Sequence, residues 1–156
     1  PETNADRMLY KIVEMAYQDN DRITFNTPEG AGERNWYTVA DLGERCKFFL
    51  FHGDQVRGFG GFPWYGFGKK LLGWKALASS GLMEDFNYAC AGHYHTPTTM
   101  YVNDIRLWVN GSTESYNTFA QEQLASMGRP CQYLLFAKKG SGVTSEYLIN
   151  LELDKS

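Results

Sequence analysis

Residues 46–54 read CKFFLFHGD, and residues 87–95 read NYACAGHYH. Each segment is an apolar run that ends in histidine beside glycine. A short continuous apolar run predicts a strand that is covered on both faces of a sheet. In open α/β sheets, ligands bind beyond the carboxyl ends of the strands. We therefore expect these two strands to deliver their histidines to one functional edge.

The rest of the chain predicts an α/β fold with a mixed sheet that ends in an antiparallel meander. An amphipathic helix carries Leu9, Ile12, Val13 and Ala16 at helical spacing. Glycines and aromatic residues predict an irregular loop over 57–68, followed by a helix over 69–78 and, later, a short helix over 118–125. The predicted strands are residues 22–26, 36–39, 46–51, 87–91, 98–102, 105–109, 131–137 and 143–153.

Composition narrows the class of protein. The 156 residues are 43% hydrophobic, with 15 basic and 18 acidic residues and a net charge of −3. This composition supports one buried core and excludes a disordered chain, and it contains no apolar run of membrane-spanning length. The negative net charge argues against a protein whose whole surface binds nucleic acid. A bound metal could still let a local site bind phosphate. The three cysteines are widely spaced in apolar stretches, which predicts buried free thiols in a reducing compartment.

The chain has only three histidines, and two of them form His93-Tyr94-His95. On an extended segment, residues two apart point to the same face, so His93 and His95 could share a metal site. His52 follows the other apolar strand directly and supports the same interpretation. The alternative is that the pair consists of surface histidines on a loop and that His52 is satisfied by backbone groups.

Three short motifs carry a resemblance to a known family. FLFHGD at 49–54, CAGHYHT at 90–96 and VNGS at 109–112 resemble the C-terminal half of the calcineurin-like metallophosphoesterases, most closely the phage-encoded forms. The resemblance implies a β-sandwich flanked by helices. It also implies that His52 and His93 bind one metal and His95 the other, with two divalent transition metals drawn from Mn, Fe or Zn. In that family a metal-bound hydroxide attacks phosphorus.

The family's earlier motifs, D-x-H, G-D-x-x-D and G-N-H, are absent from this chain. We therefore expect residues 1–156 to be a single domain or part-domain that forms the C-terminal portion of a metallophosphoesterase. No catalytic residue beyond the metal ligands is expected in it, and its activity alone should be weak or absent. Asp54 and Asn110 are expected to orient the ligands or their loops from outside the coordination sphere.

A further segment combines aromatic and basic residues between Arg57 and Lys75. Aromatic stacking with cations is typical of single-stranded nucleic-acid binding, so Arg57, Lys69 and Lys70 are candidate substrate-binding residues. The alternative is that these aromatic residues pack the loop onto the core or onto a neighbouring subunit.

The sequence thus predicts a metal-dependent hydrolase of phosphate esters, either a phosphodiesterase or a nuclease. The alternative is a non-enzymatic binding or assembly module that keeps a phosphoesterase-like sheet. The expected partners are a phosphate-ester substrate such as DNA, the N-terminal half of the same protein, and a second copy in a homo-oligomer, without a membrane. The expected location is the cytoplasm, that of the host if the protein is phage-encoded.

Overall fold

The computed structural model describes residues 5–25, 36–58, 61–114 and 130–152. The chain divides into two compact units, Pro1–Trp36 and Tyr37–Ser156. Within the described residues, neither helix is long and apolar enough to span a membrane. The predicted helix over 118–125 lies outside the described residues.

The first unit contains helix α1, Ala5–Tyr17. Its apolar residues recur at helical spacing as predicted, and Leu9, Ile12 and Val13 are exposed. Residues 22–25, which were predicted to begin a strand, form none. This part of the prediction is wrong because β-prone residues form a strand only where a partner strand accepts their backbone hydrogen bonds.

The described residues of the second unit form seven strands and one helix. In chain order these are β1 (Tyr37–Asp41), β2 (Lys47–Phe51), α2 (Trp64–Ser79), β3 (Tyr88–Ala91), β4 (Thr98–Val102), β5 (Ile105–Val109), β6 (Cys131–Lys138) and β7 (Gly142–Asn150).

Five of these strands form a mixed sheet in the order β1-β2-β3-β5-β4. Strands β2, β3 and β5 are parallel, whereas β1 and β4 are antiparallel edge strands. Strands β6 and β7 form a separate antiparallel hairpin. This arrangement confirms the predicted α/β class with a mixed sheet and an antiparallel meander, and it brings the carboxyl ends of three parallel strands to one edge.

Helix α2 covers one face of the five-stranded sheet. Phe49 and Phe51 of β2 point to this face and pack against Trp74 of α2, with ring centroids 5.3 and 5.1 Å apart. Phe67 and Leu71 are fully buried in the same cluster. Because side chains alternate along a strand, the intervening residues of β2 point to the opposite face.

The β6–β7 hairpin packs against that opposite face. Phe48 of β2 and Trp108 of β5 are buried there, and Tyr133 and Leu135 of β6 pack against them. The run at 46–51 is therefore covered on both faces, as its composition predicts.

Helix α2 begins at Trp64, five residues before the predicted start at Lys69. Glycines at 66 and 68 made this segment resemble a loop. A methyl group at Gly66 would lie 2.9 Å from Cγ1 of Val56 and 3.0 Å from the carbonyl oxygen of Arg57. The absence of a side chain therefore lets the first turn of α2 approach the preceding loop closely, and this packing outweighs the low helix propensity of glycine.

Candidate metal centre

Two of the three histidines meet where the parallel strands β2 and β3 end. The backbone N–H of Gly92 donates to the carbonyl oxygen of His52 at 2.9 Å, which joins the two strand ends. Beyond this bond, Nδ1 of His93 lies 3.2 Å from Nε2 of His52, and the ring centroids are 5.0 Å apart. Both side chains are exposed to solvent, so a small ligand can reach them.

The backbone around His93 is tightly turned. The N–H of Tyr94 donates to the carbonyl oxygen of Gly92 at 2.7 Å, a bond that closes a three-residue turn with His93 at its centre. His93 and His95 have φ values of 63° and 51°. The left-handed region is uncommon for residues other than glycine, and such conformations concentrate at functional sites. The expectation that 93–95 is extended is wrong, because β3 ends at Ala91 and this turn follows it.

Gly53 makes room for His93. Its φ is 117°, and a methyl group there would lie 3.1 Å from Cβ of His93 and 3.2 Å from the carbonyl oxygen of Gly92. The N–H of Gly53 donates to Oε1 of Gln55 at 3.1 Å, which stabilises the turn after β2. Sequence reasoning missed Gln55, although its position two residues after a glycine in a turn could have indicated it.

Electrostatics link all three histidines and Asp54. Desolvation lowers the pKa of His93 below its usual value, and repulsion from His52 and then from His95 lowers it further, whereas the charge of Asp54 raises it. A lowered pKa favours the neutral imidazole, which is the form that binds metals.

The distance between the His93 and His52 nitrogens, which allows a hydrogen bond between the two rings, also fits two ligands of one metal ion. Two nitrogens bound to a tetrahedral Zn²⁺ at about 2.0–2.1 Å lie about 3.3–3.4 Å apart, close to the separation found here. Imidazole also suits Mn and Fe, so the ring nitrogens do not select the metal. Across the described residues, no group of three or more His, Cys, Asp or Glu side chains is arranged to bind one metal. The structure therefore brings the side chains of His52 and His93 together and does not add His95 to them.

The two residues predicted to support the ligands differ in their surroundings. Asn110 follows β5 at the same edge, but its amide is bonded to the second sheet: Oδ1 accepts from the N–H of Tyr133 at 2.9 Å, and Nδ2 donates to Gln132. Asp54 is exposed next to Gly53 and influences His93 through its charge. Asn110 therefore fixes the hairpin to the end of β5, while Asp54 remains near the histidines.

Aromatic residues connect the histidine pair to the start of α2. The ring of Tyr94 lies 5.0 Å from that of His93 and 5.4 Å from that of Phe62, and its hydroxyl donates to the carbonyl oxygen of Val56. Tyr94 is thus a packing residue. The ring of Phe62 in turn lies 4.7 Å from that of Trp64.

The three basic residues predicted to bind substrate are exposed but do not form one cluster. Arg57 lies in the loop between β2 and α2, and Lys69 follows Tyr65 by one helical turn on the outer side of α2. Lys70 lies on another side of the helix, where its Nζ is 5.9 Å from the ring centroid of Trp74. Adjacent helical residues are about 100° apart, which separates the two lysines.

The cysteines agree with the predicted free thiols. Cys46 and Cys131 are buried and Cys90 is partly buried, and all three are free. Burial raises the pKa of the Cys90 thiol to about 12 and also raises the pKa of Cys131.

The five-stranded mixed sheet, its covering helix and the packed hairpin form a mixed α/β fold that solved structures share. Among solved structures, the chain is similar to Vacuolar Protein Sorting 29 (Vps29) from Cryptosporidium parvum. The TM-score is 0.53 at 16% identity, over 90% of this chain and 76% of that chain. It is also similar to wild-type Vps29 from Entamoeba histolytica complexed with Zn²⁺, with a TM-score of 0.50 at 18% identity, over 83% of this chain and 68% of that chain.

A third similar structure is that of a conserved protein from Streptococcus pneumoniae described as a predicted phosphoesterase. It has a TM-score of 0.43 at 13% identity, over 93% of this chain and 92% of that chain. No protein-family model matches the sequence, and the search of curated proteins found no match. At these identities the likeness establishes the fold alone.

Proposed function

We propose that this chain supplies His52 and His93 as ligands to the metal centre of a phosphoesterase that hydrolyses phosphodiesters. The observation that carries the proposal is the 3.2 Å separation of His93 Nδ1 and His52 Nε2 at the carboxyl ends of adjacent parallel strands. A divalent transition metal bound there supplies positive charge that offsets the phosphate and lowers the pKa of water.

The chain's own residues contribute position and access. The hydrogen bond from Gly92 to His52 sets the distance between the strand ends, and Gly53 leaves space for the side chain of His93. Both rings face solvent, where a phosphate ester can approach. His95, next to this pair in sequence, is proposed as a ligand of a second metal, and Mn, Fe and Zn are the candidate metals.

Two imidazoles do not complete a catalytic metal site, which typically has three protein ligands. We therefore expect further ligands from segments with the family's D-x-H, G-D-x-x-D and G-N-H motifs. Hydrolysis of bis(4-nitrophenyl) phosphate by residues 1–156 alone should remain close to background. Rapid metal-dependent hydrolysis by this chain would contradict the idea that its ligand set is incomplete.

Metal binding tests the ligand assignment directly. The chelator-treated chain is titrated with Co²⁺, whose visible absorption reports both binding and coordination geometry. His52→Ala and His93→Ala should each weaken binding at least tenfold. His95→Ala is the matched control, because it removes a histidine outside the pair and should leave this first site intact. Equal affinity in the wild type and in His52→Ala, or no Co²⁺ binding at all, would overturn the assignment.

A second candidate is the non-enzymatic binding or assembly module. It is favoured by one observation, that no group of three ligands is present among the residues that the structure describes. Metal analysis of the complete protein separates the two candidates. Stoichiometric metal that is lost in His93→Ala supports the enzyme, whereas a metal-free protein that assembles normally supports the module.

A further inference from the structure

The start of α2 presents two aromatic side chains to solvent. Trp64 is 54% exposed and Tyr65 is 83% exposed. The other aromatic residues of α2 point inward, since Phe67 and Trp74 are buried in the core. Trp64 and Tyr65, by contrast, are exposed neighbours in the first turn of α2, about 100° apart around its axis, and we name this pair the aromatic platform.

The charge around the platform differs from that of the chain. Residues 55–83 contain four of the 15 basic residues and none of the 18 acidic ones, although the whole chain has a net charge of −3. Arg57 lies in the loop that precedes the platform, Lys69 follows Tyr65 by one helical turn, and both are exposed. Lys70 lies on another side of α2 and Lys75 pairs with Asp85, so Arg57 and Lys69 are the two of these cations that could bind an anionic partner near the platform.

Trp64 is linked to the candidate metal centre through a series of ring contacts. Successive ring contacts run from Trp64 to Phe62 at 4.7 Å, from Phe62 to Tyr94 at 5.4 Å, and from Tyr94 to His93 at 5.0 Å. Two intervening rings, those of Phe62 and Tyr94, thus connect Trp64 to His93.

We propose that the aromatic platform binds single-stranded nucleic acid, with bases stacked on Trp64 and Tyr65 and phosphates close to Arg57 and Lys69. Bases of a single strand expose their faces for stacking, whereas those of a duplex are already stacked on one another. This inference rests on the proposed phosphoesterase function, because it names the class of phosphodiester that reaches the site. It also explains why cations and exposed aromatic residues occur together here.

Binding is measured by fluorescence anisotropy of a labelled dT12 strand in EDTA, so that no hydrolysis occurs. Trp64→Ala and Tyr65→Ala should each weaken binding about five- to a hundredfold, the range expected for losing one stacked base. Tyr101→Ala is the matched control, since Tyr101 is 66% exposed on the edge strand β4 and should not matter. Lys69→Glu should weaken binding, whereas the matched charge reversal Lys139→Glu in the β6–β7 turn should not.

Affinity should fall as salt rises, and a 12-base-pair duplex should bind at least tenfold more weakly than dT12. Absence of dT12 binding, equal affinity for the duplex, or unchanged affinity in both platform variants would each overturn the proposal. Thermal unfolding of every variant checks that the fold is retained. Because binding is measured without metal, failure here is separate from failure of the Co²⁺ titration, which concerns the histidines alone.

Discussion

The indole N–H of Trp108 donates a hydrogen bond to Glu146, with 2.6 Å between Nε1 and Oε2. The other carboxylate oxygen of Glu146 accepts from Nη2 of Arg106 at 2.5 Å. Trp108 and Arg106 lie on β5, and Glu146 lies on β7. This one carboxylate therefore joins the hairpin to the five-stranded sheet, and it satisfies the polar group of a side chain that is only 2% exposed.

Glu146→Ala should lower the free energy of unfolding by about 1–3 kcal/mol, because it leaves the buried indole N–H without its acceptor. Urea denaturation measures this loss. Lys47→Ala is the control: it removes the exposed Lys47–Asp41 ion pair and should cost about 1 kcal/mol or less. Equal losses of unfolding free energy in the two variants would show that the Trp108–Glu146 hydrogen bond stabilises the protein no more than an exposed ion pair.

Substitutions at the glycines of α2 should have opposite signs. Gly68 and Gly73 have open space where a methyl group would lie, so alanine at either position should stabilise the protein by about 0.5–1 kcal/mol through helix propensity. Gly66→Ala should instead destabilise it, since the methyl group would meet Val56 and the backbone of Arg57. Thermal unfolding of the three variants measures these effects, and stabilisation by Gly66→Ala would contradict the close packing.

Gly53→Ala should weaken metal binding as well as stability. The left-handed backbone costs about 1–3 kcal/mol for a residue with a side chain, and the added methyl group would displace His93. Gly61→Ala is the matched control, because its φ of 100° imposes similar strain but nothing lies within 4 Å. Co²⁺ titration should show weaker binding in Gly53→Ala alone. Equal metal affinity in both variants would contradict the idea that Gly53 positions His93.

Stability should decline at alkaline pH. Burial raises the pKa of Cys90 from 9.0 to about 12, so the folded chain retains a proton that the unfolded chain loses. This contribution is complete below about pH 9 and disappears as pH rises towards 12. The urea midpoint measured at intervals from pH 8 to 11 should fall, and it should fall less steeply in Cys90→Ser. Parallel pH profiles for the wild type and that variant would contradict a role for this thiol.

The raised pKa values of Tyr94 and Tyr133 act in the same direction as that of Cys90, since desolvation is the largest cause in each case. Comparison with Cys90→Ser is therefore needed to isolate the thiol. In the native protein, reaction of Cys90 with a thiol reagent at pH 8 should also be slow, because the thiolate is the reactive form.

Patterns of burial and alternation could be predicted from the sequence. The run from Phe48 to Phe51 is apolar at every position, which predicts a strand covered on both faces. In the Thr98–Val109 segment, a polar turn between two apolar runs predicts a hairpin. The placement of His52 and His93 after such strands also predicts the edge at which they lie. Burial can be recognised in the sequence because each buried position favours an apolar side chain, whatever the rest of the fold.

Other features depended on contacts between distant residues. Because Gly66 and Gly68 have low helix propensity, the first turn of α2 was not predicted. The close packing of this turn against Val56, which stabilises it, cannot be recognised from the neighbouring residues. The exposure of Trp64 and Tyr65 could not be predicted for the same reason, because it depends on the helix that this segment forms. The turn at His93 was likewise hidden, because left-handed backbone in a non-glycine residue is imposed by surrounding contacts rather than by intrinsic preference.

By itself, the sequence determined the apolar strands, the two faces they bury and the positions of histidines at their ends. Only the tertiary structure decided that β2 and β3 are parallel neighbours, that His52 and His93 come within 3.2 Å, and that His95 does not join them in a three-ligand group. The physical reason is the separation along the chain over which each property is set. Burial is a property of each residue and its near neighbours, whereas the distance between two side chains 41 positions apart depends on how the whole sheet is assembled.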